Sequence, residues 1–152
     1  KGLAHQRLVR TLCPKCKIPH TEVTDHFENN SSLIDAYKSV EKIKQQQTVD
    51  VSNVHYQKTW GSCPECGGRG EKGRTALFEL ILIDDKAREF IRELKLNEWL
   101  VHLKKQNFPS IRDHAQYKLL SGTLDYRSII EEVDGLVEDN ATEAYDMMHI
   151  ME

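Results

Sequence analysis

The sequence predicts an α+β protein, in which a small β-containing subdomain stapled by cysteines is followed by a bundle of short helices. Three observations lead to this fold class. All four cysteines fall in two C-x-x-C pairs that are separated by 46 residues. Residues 75–83 (TALFELILI) are apolar at nearly every position, which predicts a strand buried on both faces. After residue 84, apolar side chains recur at helical spacing between capping residues.

The composition is that of a well-charged chain with a modest core. Of the 152 residues, 39% are hydrophobic and 30% are charged, and no apolar run approaches the roughly 20 residues of a membrane-spanning helix. Residues 131–152 hold eight acidic side chains and no lysine or arginine, whereas residues 1–130 carry 21 basic and 16 acidic ones. A solvated acidic tail is the simpler interpretation, and attraction of the basic body to an anionic partner is the alternative.

The first half of the chain is predicted to alternate short β segments with one helix. We expect a strand over residues 5–12, which leads into the first cysteine pair, and a loop over residues 17–30, where turn-forming residues concentrate. A helix is expected from residue 31 or 32 to about residue 47, and a weak β segment over residues 49–60. Residues of about 25–60 would therefore form an inserted loop and helix between the cysteine pairs.

Four short helices are predicted after the apolar strand. Their capping residues are Asp84 or Asp85, Asn97, Ser110 with Asp113, and Asp125, and their terminal glycines are Gly122 and Gly135. The side chains predicted to face inward are Ala87, Phe90, Ile91 and Leu94, then Trp99, Leu100 and Leu103, then Ile111, Ala115 and Leu119, and finally Ile129, Ile130 and Val133. Residues 136–152 would be an acidic tail, with a faint helical pattern over 141–148.

The two cysteine pairs together predict one structural zinc site. Its ligands would be Cys13, Cys16, Cys63 and Cys66. Each C-x-x-C turn offers two thiolates, and four thiolates complete a tetrahedral shell that has no open position for catalysis. His20 could replace a cysteine, but four thiolates already saturate the ion. Two disulfides or a redox dithiol are the alternatives; they would require an export signal or a thioredoxin-like setting, and the sequence shows neither.

Arginines flank both cysteine pairs. They are Arg7, Arg10, Arg69 and Arg74. Because a metal staple brings the pairs together, we expect these guanidinium groups to share one surface. There they either grip a nucleotide, a nucleic acid or an acidic partner, or neutralise the zinc–tetrathiolate. The glycine-rich stretch 67–73 lacks the Lys-Ser/Thr ending of a phosphate-binding loop, and no catalytic motif occurs elsewhere, so the residues of this chain do not by themselves predict an enzyme.

Several stretches resemble one protein family in combination. Residues 4–16 (AHQRLVRTLCPKC) are similar to its AQRLVRxLCPxC motif, and residues 73–80 (GRTALFEL) follow the second cysteine pair as GRTGIYEL does in the family. Residues 109–113 (PSIRD) and 122–133 resemble its closing motifs. These motifs belong to the type II secretion and type IV pilus assembly ATPases, which include general secretion pathway protein E-like and PilB-like members. The resemblance spans about residues 2–134.

The resemblance implies the C-terminal part of a RecA-like hexameric ATPase. Residues 1–83 would be the end of the ATPase core with the tetracysteine zinc subdomain, residues 84–135 a C-terminal helical bundle, and residues 136–152 the acidic tail. The family's phosphate-binding loop lies upstream of these motifs. ATP and magnesium are therefore expected only in a longer parent, and this chain, which opens without a Met, is expected to be an inactive fragment. Arg7, Arg10 and Arg74 become candidates for nucleotide or inter-subunit contacts.

The resemblance also implies partners and a location. A homo-hexamer would form through the upstream core, and inner-membrane platform proteins of the secretion or pilus machine would bind it. The protein would be cytoplasmic and peripheral at the inner membrane, with no nucleic acid expected. Two alternatives come from other classes. One is a zinc-ribbon nucleic-acid-binding module, favoured by the cysteine spacing and the basic body. The other is a DnaJ-type co-chaperone module, favoured by the single C-x-x-C-x-G-x-G match at residues 63–70.

Overall fold

A long antiparallel ribbon carries both cysteine pairs at one end. The computed structural model describes residues 2–136, in which β1 (Gly2–Leu12) pairs with β4 (Glu71–Leu82). Because one cysteine pair directly follows β1 and the other precedes β4, the pairing of the strands draws the cysteines together. Both strands begin before the predicted residues 5 and 75, since main-chain pairing continues through polar positions where the apolar pattern stops.

The prediction that residues 75–83 are buried on both faces is wrong. In β4 only Leu77 is buried, whereas Phe78, Leu80 and Leu82 are 54%, 55% and 71% exposed. Side chains alternate between the two faces of a strand, and a two-stranded ribbon buries a face only where another element covers it. The face of Leu77 packs into the core, while the other three side chains share the opposite face with Leu8.

The segment between the cysteine pairs contains more structure than predicted. After the first pair come β2 (Ile18–Pro19), a 3-10 turn (Val23–His26) and α1 (Ser31–Gln47), and β2 pairs with β3 (His55–Tyr56). The predicted helix is confirmed; its N-cap is Asn30, whose side chain accepts a hydrogen bond from the N–H of Leu33. The predicted loop therefore contains short elements, and the predicted β segment over 49–60 shrinks to two residues.

This inserted segment supplies the centre of the hydrophobic core. The α1 side chains of Leu33, Val40 and Ile43 are fully buried. They belong to one cluster with Val9 and Leu77 of the ribbon and with the apolar faces of the later helices. The insertion is consequently an integral part of the fold, and the ribbon and the helices pack around it.

Four helices follow the ribbon, as predicted. They are α2 (Asp85–Arg92), α3 (Leu96–Lys105), α4 (Ile111–Leu120) and α5 (Tyr126–Ile130). The caps by Asp84 and Asp125 and the Ser110–Asp113 capping box are confirmed. The Asn97 cap is wrong, because the N–H of Trp99 already donates to the carbonyl of Lys95 and so places Asn97 inside the first turn.

The later helices pack on different partners. Helices α2 and α3 contact each other, α4 lies against β4, and α5 lies against α1 and β1. The predicted inward faces of α4 are buried, but Ile91, Leu94, Leu100 and Ile130 are exposed within the described residues. The reason is that little of residues 2–136 covers the α2–α3 hairpin. The four helices thus form two groups: α2 and α3 pack on each other, while α4 and α5 pack on the ribbon and α1. The domain boundary at residue 83 stays a prediction.

The first residue of the predicted acidic tail, Leu136, packs with the rest of the fold. Leu136 is buried in the core, and residues 137–152, including the helical pattern over 141–148, lie outside the described residues. No helix within residues 2–136 is long and apolar enough to cross a membrane.

Candidate metal centre and its basic rim

Four cysteine thiols converge at the end of the ribbon. The Sγ atoms of Cys13, Cys16, Cys63 and Cys66 lie within 4.8 Å of one another. Cys13 and Cys63 are 3.9 Å apart, and Cys16 and Cys66 are 3.7 Å apart. A tetrahedral zinc ion with Zn–S bonds of about 2.3 Å separates its sulfurs by about 3.8 Å, so these residues fit the ion. All four thiols are free, which excludes the two disulfides in this structure.

Backbone hydrogen bonds shape the two cysteine turns. The N–H of Lys17 donates to the carbonyl of Cys13 at 3.2 Å, and the N–H of Gly67 donates to that of Cys63 at 2.8 Å. Gly70 closes the second turn by donating its N–H to the Cys66 Sγ at 3.2 Å. A Cβ on Gly70 would lie 2.4 Å from the Lys58 carbonyl oxygen at a φ of +76°, so this position requires glycine.

The four thiols are not electrostatically equivalent. The N–H of Gly70 lowers the pKa of Cys66 to about 6, because it stabilises the thiolate. Burial raises the pKa of Cys16 to about 12, and the neighbouring cysteines add to the shift. Of the four thiols, Cys66 is thus the one most readily ionised for metal binding, whereas Cys16 would have to lose its proton to become a ligand.

A small cavity of about 280 Å³ opens beside Cys66. Four basic side chains line it, and we call them the basic rim: Arg10, Arg69, Lys72 and Arg74. Two carboxylates, of Glu65 and Glu71, line the same cavity. Three of the four arginines predicted to share a surface are thus brought together.

Arg7 does not belong to this rim. It pairs with Leu77 in the ribbon register, whereas Arg10 pairs with Arg74. Since side chains of one strand alternate between faces, Arg7 lies on the opposite face from Arg10. Lys72 was missed by the sequence reasoning, and the strand period could not have found it, because the ribbon register shifts between Arg10 and Leu12, opposite Lys72 and Gly73.

His20 is not a metal ligand in this structure. Its ring is buried, and its nitrogens lie 2.7 Å from the Tyr56 hydroxyl and 2.7 Å from the Glu41 carboxylate. The sequence contains no signal for this network, because its three members are separated by at least 15 residues and meet only through packing of α1 and β3 with the turn that follows β2.

A comparison with known proteins places the chain in a family. The sequence profile described as "Type II/IV secretion system protein" matches residues 1–135. The chain belongs to this family. The match confirms the resemblance found in the motifs, and it includes all four cysteines.

Three similar proteins are considerably longer than this chain. Type II secretion system ATPase E of Vibrio cholerae is 30% identical over 129 residues, which are 85% of this chain and 22% of the relative. Type II secretion system protein E of Pseudomonas aeruginosa has the same identity over the same shares. Type IV pilus assembly ATPase PilB of Thermus thermophilus is 28% identical over 130 residues, 85% of this chain and 13% of the relative. The chain thus spans between 13% and 22% of the length of these three relatives.

Proposed function

We propose that this chain is the zinc-binding C-terminal domain of a cytoplasmic motor ATPase that powers type II secretion or type IV pilus assembly. The observation that carries the proposal is the four-cysteine cluster, which lies inside a stretch that matches the secretion-protein family throughout. Two of the three relatives described above are named as ATPases. In this proposal, ATP and magnesium bind to other parts of the longer protein, and the present chain does not hydrolyse ATP alone.

The metal in this proposal has a structural role. When bound, a zinc ion supplies a tetrahedral cross-link between four thiolates and leaves no coordination position for a substrate. The cross-link joins the end of β1 to the turn before β4, on either side of the inserted segment. The ribbon and the α1 core are thereby held in one arrangement at the cysteine end.

The exposed face of the ribbon supports a role within a larger assembly. Leu8, Phe78, Leu80 and Leu82 are each more than half exposed on that face. Single domains seldom leave a contiguous apolar patch uncovered unless it contacts a partner. We propose that the ATP-binding core of the longer protein covers this face, that a homo-hexamer forms through that core, and that the assembly docks on platform proteins at the inner membrane.

The flanking arginines are proposed as contacts to nucleotide or to a neighbouring subunit. Arg7 and the pair Arg10–Arg74 lie on opposite faces of the ribbon. They would therefore serve two separate contacts, with Arg7 on the face that packs into the core and Arg10 and Arg74 on the face that carries the exposed apolar side chains.

Metal analysis of the purified 152-residue chain tests the zinc site. We expect about one zinc per chain, because the four thiolates form a single shell. Cys63→Ser should lose the zinc and lower the melting temperature, whereas Ser62→Ala, on the same turn, should change neither. Less than about half an equivalent of zinc in a folded, non-chelated sample would contradict the site.

The gene upstream of Lys1 tests the motor role. We expect it to encode a G-x-x-x-x-G-K-[S/T] loop in the same reading frame, because phosphoryl transfer needs that cradle. The longer protein should then hydrolyse ATP, and the 152-residue chain should not. A longer protein without this loop would rule out the motor while leaving the zinc result intact. Salt-dependent DNA binding by the chain would instead favour the zinc-ribbon alternative.

A further inference from the structure

The basic rim beside the metal centre holds like charges in an unfavourable arrangement. Arg10 and Arg74 are directly opposite each other in the ribbon register, on one face. Lys72 adds a third positive charge two residues before Arg74. Like charges directly opposite each other in an antiparallel pair destabilise it. An anion bound between them would convert this repulsion into attraction.

The neighbouring carboxylates do not neutralise the rim. Glu65 pairs with Lys72, and Glu71 lies 3.7 Å from Arg10. The side chain of Arg74 has no hydrogen-bond or ion-pair partner anywhere in residues 2–136. Four basic groups face two carboxylates around the cavity, and a zinc–tetrathiolate that includes Cys66 would add two negative charges, so the formal charges balance and Arg74 is the rim group left without a direct partner.

The rim does not bond directly to the metal ligands either. The Nε of Arg69 donates to the carbonyl oxygen of Cys66 at 3.2 Å, not to its sulfur. Within the described residues, no hydrogen bond joins a rim side chain to any cysteine Sγ. The Sγ of Cys66 instead accepts a hydrogen bond from the Gly70 N–H. Arg10 and Arg69 already contact Glu71 and the Cys66 carbonyl, so the Arg74 guanidinium is the rim group whose donors are available to a further anion.

From this arrangement we infer that the basic rim binds a phosphate group, either as free phosphate or as a small phosphate monoester. Guanidinium forks match the oxygens of phosphate bidentately, and Lys72 adds a point charge. The cavity of about 280 Å³ lies below the roughly 300–1,000 Å³ of pockets that enclose drug-sized ligands, which favours a small phosphate compound over a whole dinucleotide. The inference deepens the proposed contact role of Arg10 and Arg74, and it is complete within the described chain.

Titration of the zinc-loaded 152-residue chain tests this inference. Inorganic phosphate and glycerol phosphate are added separately at low ionic strength, and binding is measured by calorimetry and by amide shifts of residues 70–74. ATP is titrated in the same way as a third ligand. We expect saturable binding of phosphate or the monoester. Arg74→Gln should weaken it about tenfold, the loss expected from one charge-assisted hydrogen-bonding group. Added salt should weaken it further, since the rim is exposed.

The control variant is Lys15→Gln. Lys15 is an exposed lysine on the first cysteine turn, so this variant removes one positive charge near the metal but outside the cavity. It should bind phosphate as the unsubstituted chain does. A second readout is stability: phosphate should raise the melting temperature of the unsubstituted chain and of Lys15→Gln, but raise that of Arg74→Gln much less.

Three results would overturn the inference. One is the absence of saturable phosphate binding by the zinc-loaded chain. Another is equal weakening by Lys15→Gln and Arg74→Gln, which would mean a diffuse basic surface. The third is loss of zinc to a chelator in Arg74→Gln with unchanged phosphate binding, which would assign the arginine to the metal. None of these results bears on the motor proposal, which the upstream gene and ATP hydrolysis test separately.

Discussion

Three side chains of the inserted segment, His20, Glu41 and Tyr56, form a hydrogen-bonded network. The Glu41 carboxylate only accepts hydrogen bonds, so the Nε2 of His20 donates to it. On the other side of the ring, Nδ1 lies 2.7 Å from the Tyr56 hydroxyl. The rings of Tyr37 and His20 stack with centroids 4.8 Å apart. Burial, together with the nearby Asp125 carboxylate, raises the pKa of Tyr56 well above its usual value.

This shift predicts a loss of stability at alkaline pH. Below about pH 10, the tyrosine pKa of unfolded chains, Tyr56 is neutral in both states. Above it, only the unfolded form ionises, so the stability present at lower pH is lost as the pH rises. In urea unfolding, Tyr56→Phe should therefore lose less stability between about pH 10 and 11.5 than the unsubstituted chain does. Tyr117→Phe, at a 70% exposed position, should leave the slope unchanged, and equal slopes for both variants would argue against this explanation.

Hydrogen bonds from the backbone and from side chains hold the loop between α4 and α5 to other elements. The Nζ of Lys17 donates to the Gly122 carbonyl at 3.0 Å, and the N–H of Leu12 donates to that of Thr123 at 3.0 Å. The N–H of Gln57 donates to the buried Asp125 carboxylate at 2.7 Å. This loop is consequently held by the first cysteine turn on one side and by the inserted segment on the other.

At Gly122, the loop between α4 and α5 lies too close to the inserted segment to accommodate a side chain. A Cβ there would lie 2.5 Å from the Asn53 carbonyl oxygen and 2.5 Å from the Nδ1 of His55. Gly122→Ala should cost about 3 kcal/mol, from strain at a φ of +78° plus this clash. Gly67→Ala has a similar φ of +68° and open space around it, so it should cost about 1 kcal/mol. Equal losses in urea unfolding would show that the contact with the insertion contributes nothing.

In the described part of the chain, the ribbon has a core on one face and exposed apolar side chains on the other. Its core lies between α1, the inner face of the ribbon, α4 and α5. The outer face of the ribbon and the α2–α3 hairpin keep large apolar side chains exposed, among them Leu80 and Leu94 at 55% and 85%. In the proposed function, the outer ribbon face is an internal surface of a longer protein.

Leu80→Ser distinguishes an exposed side chain from one that is covered in the longer protein. In the 152-residue chain it should change the unfolding free energy by less than about 0.5 kcal/mol, since more than half of the side chain is already exposed. In the longer protein the same substitution should cost about 2 kcal/mol, because a covered leucine would be lost. Unfolding of both proteins with and without the substitution measures this. A neutral result in both would remove the support that this face gives to the motor proposal.

The sequence by itself determined the features that depend on local chemistry. The four candidate ligand cysteines were recognisable from their C-x-x-C spacing, and the caps at Ser110 and Asp125 follow from side chains that reach their own helix. The family was also readable from motifs of adjacent residues. The caps were predictable because the interacting groups are neighbours along the chain. Each cysteine pair is a local motif as well, but only the pairing of β1 with β4 brings the two pairs together.

Only the tertiary structure decided which surfaces are covered. Residues 75–83 have the composition of a buried strand, but whether Phe78 and Leu80 are buried depends on what packs on their face. The inserted α1 became the centre of the core because the ribbon and later helices close around it. The basic rim likewise required the strand register that sets Arg10 opposite Arg74. Burial and register are properties of distant segments brought together, which no local pattern encodes.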